Sequence, residues 1–419
     1  MEPQAFFFTS QLPLFFSVIF WPVLVSSIGI NYGQIANNLP SPENVVPLVK
    51  SMGVTRLKLY DADPKVLKAF ANTNVEFIVS VTNNELCKVK DPERAEAWVR
   101  QNVQAYLPAT KITCIAVGNE VLSSKDASLA NYLLPAMYSV HAALVKLNLE
   151  GEIDVTTTHS LAVLESSYPP SSGAFKRDLV DCVCEILKFH VKTGSPFLIN
   201  AYPYFAYKAH PNHMTLDFVL FQQNQGITDP VSNLHYDNML FAQIDAVHWA
   251  LSSLGYKNVC VQISETGWPS KGDADEPGAT LENARKYNCN LLKLIAQKKG
   301  TPLKPTNNLN IFVFALFNEN MKPGPTSERN YGLFNPDGTP AYPLGFSGTT
   351  NPNSNSTVYG PPSGFPPSIS SPPGTPSDGY LSITSEAVDI SMLSGETSSF
   401  MQQMAGFHNV GLPTTTQQN

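Results

Sequence analysis

The chain has 419 residues, of which 43% are hydrophobic and 15% charged, with a formal net charge of −7. Such a balance excludes an intrinsically disordered chain, and the lack of any Lys/Arg stripe excludes a phosphate-backbone reader, so no nucleic-acid partner is expected. A neutral polymer is a compatible partner, although the balance does not select one.

Residues 5–25 carry no charge and are followed by the small residues Ser26 and Ser27. Residues 1–27 therefore read as a secretory signal peptide, which predicts a secreted protein of the extracellular space or cell wall. Its leading segment departs from the usual pattern in having Glu2 and no Lys or Arg. Pro13 and Pro22 interrupt the apolar run, which argues against a membrane-spanning anchor.

From residue 28 onward short apolar runs alternate with longer amphipathic ones. Strands are predicted over 28–32, 55–60, 75–81, 112–117, 153–158, 197–201, 258–264 and 311–317. Helices are predicted over 42–52, 64–71, 92–106, 129–147, 174–192, 236–254 and 281–299. Asp63-Pro64 and Asp91-Pro92 each set an N-cap before a proline suited to the first helical turn, and Met52-Gly53 supplies a stop. Eight near-continuous apolar strands separated by helices are the pattern of parallel βα units, which close most naturally into a (β/α)8 TIM barrel. An open doubly wound sheet would usually place a Gly-rich phosphate turn after its first strand, and Gly29-Ile30-Asn31-Tyr32-Gly33 does not supply one.

The composition changes near residue 347, where Ser, Thr, Pro, Gly and Asn take over. Residues 28–346 are therefore taken as one catalytic domain, and residues 347–419 as a disordered tail. Asn355-Ser356-Thr357 is an N-glycosylation acceptor in that tail, making Asn355 the expected site. The polar final residues 412–419 lack the hydrophobic run that a lipid-anchor signal requires, so no such anchor is expected.

The six cysteines stand at 87, 114, 182, 184, 260 and 289 in a chain too long and too apolar to need a disulfide framework. Cys114 and Cys260 fall in strand-like runs and are expected to be buried free thiols. Cys182-Val183-Cys184 has no matching second pair for zinc, and Pro211 in His210-Pro211-Asn212-His213 breaks the helical face a histidine pair would need. No metal or organic cofactor is expected.

Two strands each deliver a glutamate at their C-terminal ends. One is Ile112-Thr113-Cys114-Ile115-Ala116-Val117-Gly118-Asn119-Glu120, and the other is Val261-Gln262-Ile263-Ser264-Glu265-Thr266-Gly267-Trp268-Pro269. Barrel active sites lie on that face. Counting strands, Glu120 follows the fourth and Glu265 the seventh, three steps around a ring of eight, so both reach one mouth. Paired carboxyls across a sugar are what glycoside hydrolysis requires: one gives a proton to the leaving oxygen, and the other attacks or stabilises the anomeric carbon. Neighbouring carboxylates push their pKa values apart and so divide that labour. Glu319 and Lys322, after the eighth strand, are expected to form an ion pair beside the site, joined by Glu328. Tyr32, Tyr60, Tyr202, Tyr204, Phe205, Trp268, Phe317 and Tyr331 cluster at the same face, where glucose rings can pack on apolar surfaces. Ordinary packing is expected to claim about half of them.

At these residues the sequence resembles a known family. Val117-Gly118-Asn119-Glu120 and Ile263-Ser264-Glu265-Thr266-Gly267-Trp268-Pro269-Ser270-Lys271-Gly272 look like the two signatures of glycoside hydrolase family 17, the plant glucan endo-1,3-β-glucosidases. Gly29–Gly33, Lys58-Leu59-Tyr60-Asp61, Asn200-Ala201-Tyr202-Pro203-Tyr204-Phe205 and the run from Phe317 to Phe334 extend the likeness. The resemblance implies retaining endo-hydrolysis of β-1,3-glucan such as callose by a monomer, with Glu120 as general acid/base and Glu265 as nucleophile. It also implies that Asn119 holds the sugar hydroxyl beside the scissile bond, and that Glu319, Lys322 and Glu328 form the supporting charged group. Carboxyls about 5–5.5 Å apart would follow from retention. The same glutamates serve mixed-linkage glucan cleavage or glucan transfer. A non-catalytic glucan-binding wall protein would be expected to have lost one of them.

Overall fold

Helix-start chemistry is realised at both Asp-Pro pairs. The Asp63 carboxylate accepts from the backbone N–H groups of Lys65 and Val66, and that of Asp91 from Arg94, satisfying donors with no partner inside the helix. The helices so begun are two of seven that alternate with the barrel strands: α1 Pro42–Ser51, α2 Pro64–Ala69, α3 Pro92–Asn102, α4 Ala130–Lys146, α5 Val180–Thr193, α6 Met239–Ser253 and α7 Leu281–Ala296. Between them lie eight strands: β1 Ile28–Asn31, β2 Arg56–Lys58, β3 Glu76–Val81, β4 Lys111–Asn119, β5 Asp154–Ser160, β6 Phe197–Asn200, β7 Val261–Thr266 and β8 Ile311–Val313. The computed structural model describes residues 28–344; the expected signal peptide, the tail and Asn355 lie outside the described residues.

All eight strands pair in parallel and in chain order, and β1 pairs with both β2 and β8, closing the sheet. The architecture is a (β/α)8 barrel. Its main apolar core is one large cluster of buried side chains, and Ile78, Cys114, Ala116 and Phe312, from β3, β4 and β8, form a smaller separate one. Some predicted elements moved. The helix expected over 174–192 begins only at Val180, because a small hairpin, Leu164–Ser166 with Ala174–Phe175, takes its first residues. Strand β7 starts three residues later than expected and ends two later, at Thr266, so Glu265 is held in the strand rather than beyond it. That shift leaves Cys260 before the strand at the open lower rim, exposed rather than buried; Cys114 is buried. His210 and His213 lie in the turn after a short helix, Pro203–Ala209.

His159, a residue of β5, is buried and stacked on Phe197 with ring centroids 4.6 Å apart, and neither ring nitrogen has a hydrogen-bond partner. Burial, reinforced by nearby His190, drives its pKa down to about 3. The folded state therefore resists a proton that the unfolded chain accepts near 6.5, so this site's stability is full above that pH and drains away as pH falls toward 3. His159→Phe, which keeps the stack and removes the titration, is expected to lose less melting temperature than the parent between pH 6.5 and 4. At roughly 2 °C per kcal/mol, thermal melts at both pH values resolve the difference.

Candidate active site

Four strand ends build the site. At the end of β4 the chain turns through Gly118 with φ +73° and then Glu120 with φ +53°, both left-handed. A side chain at 118 would press into Val121, so glycine is the residue that fits this turn. The unusual backbone at Glu120 is fixed by its N–H donating to the Thr158 carbonyl at 2.8 Å. Asn83 adds a clamp, accepting from the Asn119 N–H at 2.8 Å and donating to the Asn119 carbonyl at 3.0 Å. Asn200, at the end of β6, donates to Glu120 Oε1 at 2.7 Å and stands in register with Glu265 on β7.

Glu265 owes its surroundings to a break in alternation. The β6–β7 register slips between Ile263 and Glu265, and the β7–β8 register slips between Ile263 and Thr266. In a regular strand neighbouring side chains point to opposite faces. Here the bulge lets consecutive residues Ser264 and Glu265 both meet Lys58, whose Nζ donates to Ser264 Oγ at 2.6 Å and to Glu265 Oε1 at 3.2 Å. Tyr60 donates to the same Oε1 at 2.7 Å, and Tyr202 donates to Oε2 at 2.8 Å. Glu265 is 6% exposed and Lys58 1%.

The two carboxyls have different electrostatics. Burial, and then the charge of Glu265, raise the Glu120 pKa from the usual carboxyl range to about 7; the Asn200 hydrogen bond and Lys58 oppose the shift only partly. Burial pushes the Lys58 ammonium down, while Glu265 holds it up.

The other predicted residues separate into two groups. Tyr60 and Tyr202 are at the site, but their hydroxyls are spent on Glu265, so they hold a carboxylate instead of offering a sugar platform. Tyr32, Tyr204, Trp268 and Phe317 are at most 1% exposed and cannot meet a ring from solvent. Trp268, for example, packs on Tyr204 and Tyr287 and donates to the Gly278 carbonyl at 2.8 Å. Phe205 keeps a half-exposed ring beside Tyr202. Lys322 pairs with Glu328 at 3.7 Å, not with Glu319, and its ammonium lies 4.2 Å from the centre of the Phe314 ring. Glu319 instead accepts the Ile35 N–H at 2.8 Å, in space that the absent side chain of Gly33 leaves open. Asn119 brings its Oδ1 to the site buried and without a partner.

Several site contacts are not legible from motif reasoning. Lys58 on β2 and Asn200 on β6 fall within segments that carry the family likeness, but nothing in the sequence shows that they meet Glu265 and Glu120. Glu276 is buried in the loop after β7, where it accepts from Lys208 Nζ at 2.8 Å, Ser327 N at 2.9 Å, Ser327 Oγ at 2.5 Å and Asp273 N at 3.0 Å. It thereby ties together the segments after β6, β7 and β8. Burial works against its charge, but these donors outweigh it and hold its pKa below the usual value.

Comparison with known proteins matches residues 28–346 to the family model of glycosyl hydrolases family 17. The chain belongs to glycosyl hydrolases family 17. Among curated family members it is 60% identical over 350 residues to glucan endo-1,3-beta-glucosidase 11 of Arabidopsis thaliana, covering 83% of this chain and 82% of the relative. It is 62% identical over 338 residues to glucan endo-1,3-beta-glucosidase 10 of the same plant, covering 80% of each. Among solved structures it matches CJP38, a beta-1,3-glucanase and allergen of Cryptomeria japonica pollen, with 42% identity and a TM-score of 0.74, covering 77% of this chain and 99% of that one. One of two plant beta-glucan endohydrolases with distinct substrate specificities matches with 35% identity and a TM-score of 0.70, covering 75% and 99%.

The raised pKa of Glu120 carries a stability consequence. Folding favours its protonated form, so ionisation destabilises the native state progressively as pH rises from about 4.5 past 7. Glu120→Gln keeps an acceptor for Asn200 and drops the charge. Its melting temperature is expected to match the parent at pH 4 and exceed it at pH 8, as read from thermal melts across that range.

Proposed function

We propose that this protein is a retaining endo-hydrolase of β-1,3-glucans such as callose. The observation that carries the reading is the unequal treatment of two carboxyls at one barrel mouth. Glu265 meets three donors and is suited to act as an anion, while Glu120, with its pKa near 7, can hold a proton at neutral pH. In the first step Glu120 gives its proton to the glycosidic oxygen as that oxygen leaves, and Glu265 attacks the anomeric carbon to form a glycosyl ester. Oε1 already accepts from two donors and Oε2 from one, so Oε2 keeps a lone pair for attack. In the second step Glu120, now ionised, takes a proton from water as the water displaces Glu265. Asn119, with its free Oδ1, is suited to hold a sugar hydroxyl, and Phe205 to lie against a ring. The Lys322–Glu328 pair and Glu319 shape the charge around the cleft. Residues 1–27 and the sequon at Asn355 support export of a glycosylated enzyme to the cell wall.

The relation to plant beta-glucan endohydrolases of distinct specificity keeps mixed-linkage glucan and glucan transfer as rival outcomes. Incubating the purified protein with laminarin and, separately, with mixed-linkage glucan distinguishes them. Early products are expected to be short β-1,3-oligosaccharides in the β-anomeric form, from laminarin. Early α-anomers would contradict retention, and products longer than the substrate would show transfer.

Glu265→Gln is expected to lower turnover by at least about 10³-fold while still binding laminari-oligosaccharides, as measured by calorimetry. Normal hydrolysis by that variant would remove Glu265 from the role of nucleophile. For the parent, kcat/KM is expected to fall on the alkaline side with an apparent pKa near 7, as Glu120 loses its proton. Glu120→Ala is expected to lose that limb and to recover most of its glycosylation rate on a β-1,3-glucoside with an activated aryl leaving group, whose departure needs no proton.

A further inference from the structure

Lys58 is a buried cation fixed on one oxygen of Glu265, and the reaction removes and then restores the charge it faces. Its Nζ lies 3.2 Å from Oε1 and 2.6 Å from Ser264 Oγ, which itself lies 3.3 Å from Thr158 Oγ1. The Tyr60 ring stands 5.0 Å away. Cys114, which also acts on Lys58, belongs to a buried cluster with Ile78, Ala116 and Phe312, and that cluster offers no carboxylate. Glu265 is therefore the one ion-pair partner of Lys58 among the described residues, with Glu120 acting on it from further off. When Glu265 becomes a neutral glycosyl ester, Lys58 is left as a buried charge without its counter-ion, a costly state.

We infer that Lys58 is a positioning residue for the second half-reaction, drawing Glu265 off the sugar by re-forming the ion pair as the ester breaks. This rests on the reading of Glu265 as nucleophile. In that step the water oxygen bonds to the anomeric carbon, and the bond from that carbon to the Glu265 oxygen breaks. Its electron pair returns to the carboxylate beside Lys58, and the water proton passes to Glu120. The pair stabilises Glu265 as an anion relative to Glu265 as an ester. It therefore makes Glu265 a better leaving group while doing nothing to improve it as a nucleophile. A residue that merely held the barrel together would affect both steps alike.

The test uses Lys58→Met, which keeps the length of the side chain and drops the charge, with an activated aryl β-laminaribioside as substrate. For such a substrate kcat/KM reports the first step and kcat the second. Expected are a fall in kcat of about 10²-fold, a change in kcat/KM of less than about 10-fold, and a glycosyl-enzyme that accumulates and is seen by intact-protein mass. Lys58→Gln, which retains a donor without the charge, makes the same measurement should the methionine variant not fold. Equal losses in kcat and kcat/KM with no accumulated intermediate, in whichever variant folds, would overturn the role of Lys58. The unaltered protein run in parallel separates the two readings: if it cleaves the substrate, a negative result concerns Lys58 alone, and if it does not, the glucanase reading falls and this inference with it.

Discussion

The Glu265 carboxylate sits almost out of reach of water at the top of a closed barrel, and much of the nearby structure is explained by the need to keep it charged there. Stripping water from a carboxylate costs several kcal/mol even after the surroundings relax, and a single distant cation does not offset that. Here the compensation is local and threefold: an ammonium and a phenol on Oε1, and a second phenol on Oε2. These donors come from β2 and from the segments following β2 and β6, so no one element carries the site. Only a sheet whose first strand pairs with its last brings them to the same point. The bulge in β7 completes the arrangement. Without it Ser264 and Glu265 would face opposite sides of the sheet, and Lys58 would reach one of them but not both.

Glu120 is the contrasting case. It receives one side-chain hydrogen bond, from Asn200, and faces the negative charge of its partner. Burial, and then that charge, therefore raise the Glu120 pKa to about 7 and keep it protonated up to neutral pH. The two glutamates are alike in chemistry and differ in the side-chain donors aimed at them, three at Glu265 and one at Glu120. That number follows from backbone geometry: a left-handed turn at Gly118 and Glu120 on one side, and a register slip on the other. Local strain of this kind persists only where the surroundings over-determine it. The Thr158 carbonyl and the Asn83 clamp do so at Glu120.

Much of the fold was legible because it depends on local patterns. Apolar runs with intervening amphipathic stretches predicted eight strands and seven helices, and Asp63 and Asp91 marked helix starts through chemistry that needs no tertiary context. Both glutamates were legible because each follows an apolar strand directly. What could not be read was anything set by a register slip or by the far side of the barrel. Lys58 falls in a segment that carries the family likeness, but its contact with Glu265 follows only from the closed ring. Tyr60 and Tyr202 read as sugar platforms, because sequence shows a ring but not where its hydroxyl is spent. Trp268, in the most distinctive motif of the chain, lies wholly beneath the site. Its burial sets the course of the loop after β7, which is a different reason for a tryptophan at an active site from contact with substrate.

That loop shows how the cleft is held. Glu276 draws Lys208, Asp273 and Ser327 onto one buried carboxylate. Ser327 is adjacent to Glu328, which pairs with Lys322, and Lys322 lies over Phe314, whose ring meets Tyr60, Tyr202 and Tyr331. A continuous chain of contacts thus runs from a rim loop back to the two phenols that hold Glu265. Glu319 closes the opposite flank by tying the segment after β8 to Ile35 after β1. Loops are ordinarily the mobile part of a barrel, and a catalytic carboxyl tolerates little displacement. In this protein the charged residues of the rim are used chiefly on one another and on backbone N–H groups. Phe205 stays partly exposed, and the Asn119 Oδ1 is buried without a partner, so neither is drawn into that network.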